Sequence, residues 1–228
     1  MKCQLILKGS IAAFNILLMS ILFSSCEKND IDDSGTSNLK VVNASPGSQA
    51  QSFQLAGKTL ISDGLNFTGA SDYLPAYAGT RLVAEFKNGN AGSTYASGEL
   101  WLYKDQHFTV FLAGGNGSER VKLFNDDLST PDNGKVRVRF IHLSDDAPSD
   151  IRIENANGGN LITNLSRNTQ SGYKTIDPGT LSFKVYGTAQ GKHISDFDMA
   201  GLQDGKIYTV YFAGTSNAGT TAHLIQHN

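Results

Sequence analysis

The sequence predicts an all-β protein made of two tandem antiparallel immunoglobulin-like β-sandwich domains. Segments such as Val136–His142 alternate apolar and polar residues, which is the period of a strand with one buried face. Turn sequences separate these segments, and the 24 glycines of the chain suit tight turns better than helices. No stretch after Phe23 shows the apolar spacing of an amphipathic helix. Short strands at this spacing are typical of a two-sheet sandwich.

The chain also repeats itself at a distance of 100 residues. HFTVFLAGGN at His107–Asn116 returns as IYTVYFAGTS at Ile207–Ser216, and YAGTRLVAEF aligns with DPGTLSFKVY. Two copies of one fold, of roughly 90 residues each, explain this pattern; the alternative is chance similarity among short strands. We expect the first β-sandwich at residues 39–126 and the second at 135–228, with a turn-rich connector between them.

The amino-terminal segment predicts export. An apolar run from Ile11 to Phe23 follows a basic start and precedes two serines and Cys26. The run is shorter than the roughly 20 residues that cross a bilayer, so residues 1–25 are predicted to be a secretory signal peptide. The segment resembles the lipobox of bacterial lipoproteins, in which the cysteine is acylated, although Phe23 stands where leucine is usual. The resemblance implies lipid attachment at Cys26; the alternative is an ordinary secreted protein with a free thiol.

Residues 26–38 are polar and contain Gly35, which predicts a lipidated, flexible tether. The acidic residues of this segment resemble the export signal by which Bacteroidota lipoproteins reach the outer leaflet. They are Glu27, Asp30, Asp32 and Asp33. We therefore expect a lipid-anchored protein of the outer membrane that faces the cell surface. The alternatives are a protein that faces the periplasm, and acids that only solvate a linker.

Charge and cysteine content restrict the partners. The formal net charge is −2 and no basic stripe occurs, so nucleic acid is not an expected partner. Cys3 leaves with the signal peptide, so Cys26 is the remaining cysteine and the mature chain cannot form an internal disulfide. Each domain must therefore depend on its hydrophobic core.

One long segment carries a family resemblance. Val136–Ile153, VRVRFIHLSDDAPSDIRI, resembles the start of the bacterial domain-of-unknown-function family 4397, whose members show a strand, a His-x-Ser-Pro-Asp-Ala-Pro turn and then Val-Asp-Val. The positions that fit are His142, Ser144, Asp146, Ala147, Pro148 and Asp150. Asp145 replaces the expected proline, and the first copy has Asn43 for the histidine. The resemblance extends over Leu39–Asn228 and implies secreted or surface-anchored sandwich domains. It implies no activity, because none is established for the family.

The same turn contains a candidate metal site. Asp145, Asp146 and Asp150 could offer carboxylate oxygens to calcium, which prefers oxygen ligands. In the alternative interpretation, these aspartates cap the turn by accepting backbone N–H bonds. The matching turn of the first copy has no acidic residue, so the fold does not require a metal. We expect neither a metal nor a cofactor.

An aromatic pair is the candidate contact surface. In GELWLYKD, Trp101 and Tyr103 fall on one side of a predicted strand, and Leu100 and Leu102 fall on the other. With the leucines in the core, the aromatic pair is exposed and could stack against a sugar ring or dock a protein. The alternative is that Trp101 packs into the interface between the domains.

No catalytic motif occurs in the sequence, so we expect a non-catalytic protein. The expected role is a surface adhesion or recognition module, or an accessory subunit of a surface complex. Its partners are then the membrane, reached through the acyl chains, and a glycan or another surface protein. The alternatives are a glycan-binding accessory protein of a polysaccharide-uptake system, a pilus-like subunit that polymerises by strand addition, and a hydrolase.

Overall fold

The computed structural model describes residues 29–89, 92–189, 191–216 and 219–228. Fifteen β-strands and no helix occur in this part of the chain, which confirms the predicted all-β class. The described residues accordingly include no helix of the length and apolarity needed to span a membrane. Cys26 and the predicted signal peptide lie outside the described residues.

The strands fall into two similar halves. The first half contains β1 (Asp30–Ala44), β2 (Gln51–Leu55), β3 (Lys58–Leu65), β4 (Leu74–Asn88), β5 (Thr94–Leu102), β6 (His107–Ala113) and β7 (Arg120–Asp126). The second half contains β8 (Val136–His142), β9 (Asp150–Asn155), β10 (Asn160–Ser166), β11 (Lys174–Ile176), β12 (Gly179–Gly187), β13 (His193–Leu202), β14 (Ile207–Thr215) and β15 (Gly219–Gln226).

The first half is one sheet of seven strands that folds over itself. Its order is β3-β2-β4-β1-β6-β7, with β5 also paired to β4. The first part of β4 pairs with β1, and its last part pairs with β2 and β5. The bend between them contains Gly79 and Arg81, both at positive φ. A Cβ at Gly79 would lie 2.2 Å from the carbonyl oxygen of Asp30, so only glycine permits this close approach.

The second half has the same arrangement in two separate sheets. Their orders are β10-β9-β12-β13 and β11-β8-β14-β15. Two separate strands, β11 and β12, occupy the places that the two parts of β4 hold in the first half. Two layers with a core between them therefore occur in each half, in the manner of a sandwich.

Two features differ from the prediction. Strand β1 begins at Asp30, so residues 30–38 form strand where a tether was expected. Asp30, Ile31 and Asp32 pair with β4, because β4 extends past the core and offers them backbone partners. Second, the pairing is not wholly antiparallel, because β1 is parallel to β6 and β8 is parallel to β14.

The parallel strands have a physical reason, since parallel pairs occur where both faces of a sheet are covered. Leu39 and Val41 of β1 point into the core of the first half, while Val42 and Ala44 of the same strand meet the second half. All four side chains are buried. Strand β6 is likewise buried on both faces and reads as a nearly continuous apolar run.

Each half has its own aromatic core. Phe53 and Phe86 pack at 4.8 Å between ring centroids in the first half. Phe140 and Phe183 pack edge to face at 5.5 Å in the second half. These rings are fully or almost fully buried, and such burial contributes roughly 1.5–3 kcal/mol for each large side chain.

A third apolar cluster joins the halves. Its buried members are Val42, Ala44, Phe111, Ala113, Phe124, Ile141, Leu143, Tyr211, Ala213 and Ile225. The rings of Phe111 and Tyr211, which occupy equivalent positions in the two halves, are 5.4 Å apart. Separating the halves would expose this whole cluster to water, so they form a single body.

A buried polar network lies beside this cluster. The guanidinium of Arg139 and the carboxylate of Asp126 form an ion pair across the interface, with both side chains fully buried. Arg139 also donates to Thr209 Oγ1 at 2.8 Å, to Gln170 Oε1 at 2.6 Å and to the carbonyl oxygen of Asn125 at 2.6 Å. The alternation of Val136–His142 predicts a polar strand face that includes Arg139, and the structure buries Arg139 against the other half.

The second oxygen of Asp126 extends the network to both halves. It accepts hydrogen bonds at 2.7 Å from Tyr73 and from Thr109. His227 Nδ1 is 2.7 Å from the Tyr73 hydroxyl, and His227 Nε2 is 2.7 Å from Thr209 Oγ1. Burial, and next the negative charge of Asp126, raise the pKa of Tyr73, so its hydroxyl remains a donor to the carboxylate. This assigns the Nδ1–H tautomer to His227.

The molecule has two distinct ends, because β6 and β14 lie against each other and run in the same direction. Near their last residues, a Cβ at Gly115 would lie 3.2 Å from Thr215 Cγ2. At the opposite end, the Asp126–Arg139 ion pair joins the early parts of the same two strands. Asp126 accepts a hydrogen bond from Thr109 of β6, and Arg139 donates one to Thr209 of β14. We call the loops 45–50, 114–119, 143–149 and 167–173 the loop end. We call residues 29–32, 78–81 and 101–106 the basal end.

Candidate functional site

The loop end contains the predicted acidic turn. The carboxylate of Asp145 accepts hydrogen bonds from Ser118 at 2.8 Å and from Arg120 Nη1 at 2.9 Å. Arg167 Nε lies 3.8 Å from its other oxygen. Burial raises the pKa of Asp145, but the hydrogen bonds from Arg120 and Ser118 outweigh burial and hold the pKa below its usual value. Asp145 is therefore an ionised partner of these arginines.

Arg120 connects the loops of the two halves. It lies at the start of β7 and donates to the carbonyl oxygen of Leu143 at 2.9 Å and to Asn168 Oδ1 at 2.6 Å. Together with its bond to Asp145, these contacts hold two loops of the second half against the β6–β7 hairpin of the first. The role of Arg120 could not be predicted from the sequence, because a lone arginine at a strand terminus has the pattern of a solvated residue.

Arg120→Met is expected to lower the free energy of unfolding by about 1–3 kcal/mol, since it leaves partly buried acceptors without their charged donor. The Arg120 and Asp145 side chains are only 19% and 21% exposed, so water compensates little. Equilibrium urea unfolding measures the change, and hydrogen exchange should become faster at the Asp145 amide, which donates to Gly214. Lys122→Met on the same strand face is the matched control, and an equal loss there would contradict this role.

The three aspartates of the candidate metal site do not converge. Asp146 accepts from Thr220 Oγ1 at 3.1 Å, and Asp150 accepts from Ser166 Oγ at 2.5 Å. The hydrogen bond from Ser166, followed by one from Ser149, lowers the pKa of Asp150. Within the described ranges, no group of three or more histidine, cysteine, aspartate or glutamate side chains could hold a metal ion. Each carboxylate contacts a different set of partners: Asp145 the β6–β7 hairpin, Asp146 strand β15 and Asp150 strand β10.

His142 is a structural part of the same turn. It occupies the position in β8 that Asn43 occupies in β1, and it is fully buried. Its Nε2 donates to the carbonyl oxygen of Pro148 at 2.9 Å, and Ser144 Oγ accepts the amide of Ala147 at 3.2 Å. Burial lowers the pKa of His142 to about 4. The histidine therefore holds the turn as a neutral hydrogen-bond donor.

The free energy of unfolding is expected to decrease as pH falls from about 6.5 to about 4. In that window the unfolded chain takes up protons at His142 and His227, whose folded pKa values burial lowers to about 4, while the folded chain does not. The variant His142→Asn introduces the residue that is found at the equivalent position, Asn43. It should reduce by about one the number of protons that the chain takes up on unfolding in this pH range. Urea unfolding at several pH values measures the slope, and an unchanged slope in the variant would contradict the assignment.

Trp101 and Tyr103 lie at the basal end, away from the acidic turn. Their exposed fractions are 44% and 59%, while Leu100 and Leu102 are buried as predicted. Trp101 therefore does not pack into the interface between the halves. Beside the pair, Arg81 forms an ion pair with Glu99 at 3.3 Å, and Ser37 Oγ donates to the Tyr103 carbonyl at 2.7 Å.

A shallow polar groove of about 440 Å³ lies between β10 and β11 in the second half. Asn164, Gln170 and Lys174 contribute to its lining. Asn164 already donates to Asp150 at 3.4 Å, and Gln170 accepts from Arg139 at 2.6 Å. Two of the side-chain amides in this groove therefore already have partners within the protein, and no sequence pattern predicts the groove.

A family model for the domain of unknown function DUF4397 matches residues 37–152. No curated protein matches the chain. The TIE protein of Bacillus anthracis matches with 8% identity and a TM-score of 0.27; the match covers 84% of this chain and 44% of that one.

Two further solved structures have the same TM-score. The family CBM26 module of Eubacterium rectale Amy13K, determined with maltoheptaose, matches at 14% identity, with coverage of 82% of this chain, 96% of that chain and a TM-score of 0.27. A proposed cell adhesion protein of Bacteroides uniformis matches at 9% identity, with coverage of 86% and 98% and a TM-score of 0.27. Similarity at this level carries no argument about function.

Proposed function

The protein belongs to the DUF4397 family, and from that premise we propose that it is a non-catalytic, lipid-anchored module of the cell envelope. In this proposal the acyl chains at Cys26 hold it at the outer membrane, and the loop end contacts a glycan or another surface protein. The family was predicted from the sequence, and the match over residues 37–152 confirms that prediction.

The observation that carries the proposal is the position of the loop end relative to Asn29, the first residue that the structure describes. Asn29 lies at the basal end, where its amide donates to the Arg81 carbonyl at 3.1 Å. Strand β1 then runs through the body to Ala44, and its paired segment 38–44 spans roughly 20 Å. A protein held through Cys26 therefore presents its loops on the side away from its attachment.

Rigidity of the body supports the same function. The shared apolar cluster, the buried ion pair and Arg120 hold the loops of both halves in one arrangement. Binding residues are often found on loops positioned by a rigid scaffold, because the scaffold has already met the cost of ordering them. Exposed polar side chains such as Gln49, Asn116 and Ser149 are available there.

The pilus-like alternative has less support. Polymerisation by strand addition needs a place where a donor strand completes a sheet. In the second half, β15 pairs with β14 without interruption, from the pair Tyr208–Gln226 to the pair Thr215–Gly219. A donor strand therefore cannot pair with this edge of β14, because β15 of the same chain already occupies it.

Cell-binding and glycan-array measurements with the full chain test the proposal. We expect Gln49→Arg combined with Ser149→Arg, at exposed loop-end positions, to abolish binding, while Ala200→Arg at an exposed position of β13 leaves it intact. Labelling with radioactive palmitate should be present in the natural protein and absent in Cys26→Ser. Missing label would refute the anchor, and binding that survives the loop-end change would refute the contact surface.

A further inference from the structure

Trp101 and Tyr103 lie close to the first residues that the structure describes. At Gly79, β4 pairs with Ile31 of β1 on one side and with Leu102 of β5 on the other. The strand that carries Trp101 is therefore two strand spacings, about 10 Å, from the first strand. The two exposed aromatic rings and the first described residues belong to one surface.

Only a short segment lies between the predicted attachment residue and this surface. Three residue steps separate Cys26 from Asn29, and an extended chain of that length spans at most roughly 11 Å. Asn29 is held firmly, since its amide donates to the Arg81 carbonyl at 3.1 Å and its Oδ1 accepts from the Val83 amide at 2.7 Å. If Cys26 carries acyl chains in a bilayer, the basal end must lie against the headgroups.

The chemistry of the pair fits that location. Tryptophan and tyrosine have an apolar ring and a polar group, and both are enriched where membrane meets water. These are the two large hydrophobic side chains that are exposed in the described part of the molecule, at 44% and 59%. A membrane surface would remove them from water without any change in the fold.

The charges around Trp101 and Tyr103 indicate that contact with a membrane would depend on the aromatic rings and not on electrostatic attraction. Asp30, Asp32 and Asp33 are exposed next to it, and Arg81 is paired with Glu99. Lys104 is exposed, but its stem packs on Gly35, where a Cβ would lie 2.4 Å from Lys104 Cδ. Such a surface suits zwitterionic headgroups, and its contact should not depend strongly on salt.

We propose that Trp101 and Tyr103 form a membrane-contact site that seats the basal end of the protein on the lipid headgroup layer. The inference rests on the proposed lipid attachment at Cys26. In this proposal the partner of Trp101 and Tyr103 is the membrane, whereas the sequence predicted a glycan or a protein. A glycan or protein could reach the two rings only by entering the space between the basal end and the bilayer.

The intrinsic fluorescence of the protein tests this directly, because Trp101 is its sole tryptophan. The full lipidated chain is extracted from bacterial membranes and reconstituted in phosphatidylethanolamine–phosphatidylcholine vesicles, with or without brominated acyl chains. We expect Trp101 emission at shorter wavelength than in Cys26→Ser, quenching by brominated lipid, and little change when salt is raised. Emission that stays unquenched in protein carrying the palmitate label would overturn the proposal.

A matched variant moves the probe to the other end. In Trp101→Phe combined with Ser149→Trp, the single tryptophan lies at the loop end, and brominated lipid should leave its emission unchanged. Equal quenching at both positions would overturn the proposal, as would a glycan that shifts Trp101 emission without lipid quenching. Absence of the palmitate label would instead show failure of the anchor itself. Circular dichroism confirms that each variant is folded.

Discussion

Asp126→Asn is expected to lower the free energy of unfolding by about 3–5 kcal/mol, because it leaves the buried guanidinium of Arg139 without its counter-charge. Both side chains are fully buried at the interface between the halves. The same carboxylate accepts hydrogen bonds from Tyr73 and Thr109, so its neutralisation also weakens two further contacts. Equilibrium urea unfolding followed by circular dichroism measures the loss.

Arg139→Met should cost a similar amount, since it keeps most of the stem but leaves Asp126 as the buried charge without a partner. The double variant Asp126→Asn with Arg139→Met should cost less than the sum of the two single changes, because both buried charges are then absent. Asp177→Asn is the control: its partner Lys135 and Asp177 itself are 43% and 82% exposed. We expect its effect to stay within about 0.5 kcal/mol. Additive single losses would contradict the pairing.

Phe111→Ala is expected to lower the free energy of unfolding by about 3–5 kcal/mol, because it opens a cavity in the cluster that joins the halves. The ring is fully buried and packs against Tyr211 at 5.4 Å and Phe124 at 5.8 Å. Since this cluster belongs to both halves, the midpoint of one common unfolding transition should shift. A separate earlier transition for one half, with the other unchanged, would contradict the single-body description.

Tyr211→Phe provides the matched comparison at the same contact. The Tyr211 hydroxyl is buried and forms no hydrogen bond with any residue that the structure describes. Removing it leaves the ring packing intact and takes away a buried polar group, so the free energy of unfolding should equal or exceed that of the natural protein. A large loss in Tyr211→Phe would show that the hydroxyl has a partner.

The strands and their buried faces could be predicted from the sequence because alternation is a local property. Spacing placed Leu100 and Leu102 on the face opposite Trp101, and the repeat favoured the leucine face as core; the structure buries both leucines and leaves Trp101 44% exposed. The repeat also paired Asn43 with His142, and the two occupy equivalent positions in β1 and β8. The ion pair of Asp145 could not be predicted from the sequence, because its partner Arg120 lies on a strand of the other half.

By itself, the sequence determined the all-β class, the repeat and the residues that face each core, since each depends on neighbouring positions in the chain. Tertiary structure alone decided that residues 39–44 of β1 and the strands β6, β8 and β14 are buried on both faces. It alone decided that Arg139 meets Asp126. It also decided that the acidic segment from Asp30 becomes a strand, because β4 is long enough to pair with it. These outcomes depend on contacts between distant segments, and a polar residue carries no local sign of whether water or another half of the molecule will cover it.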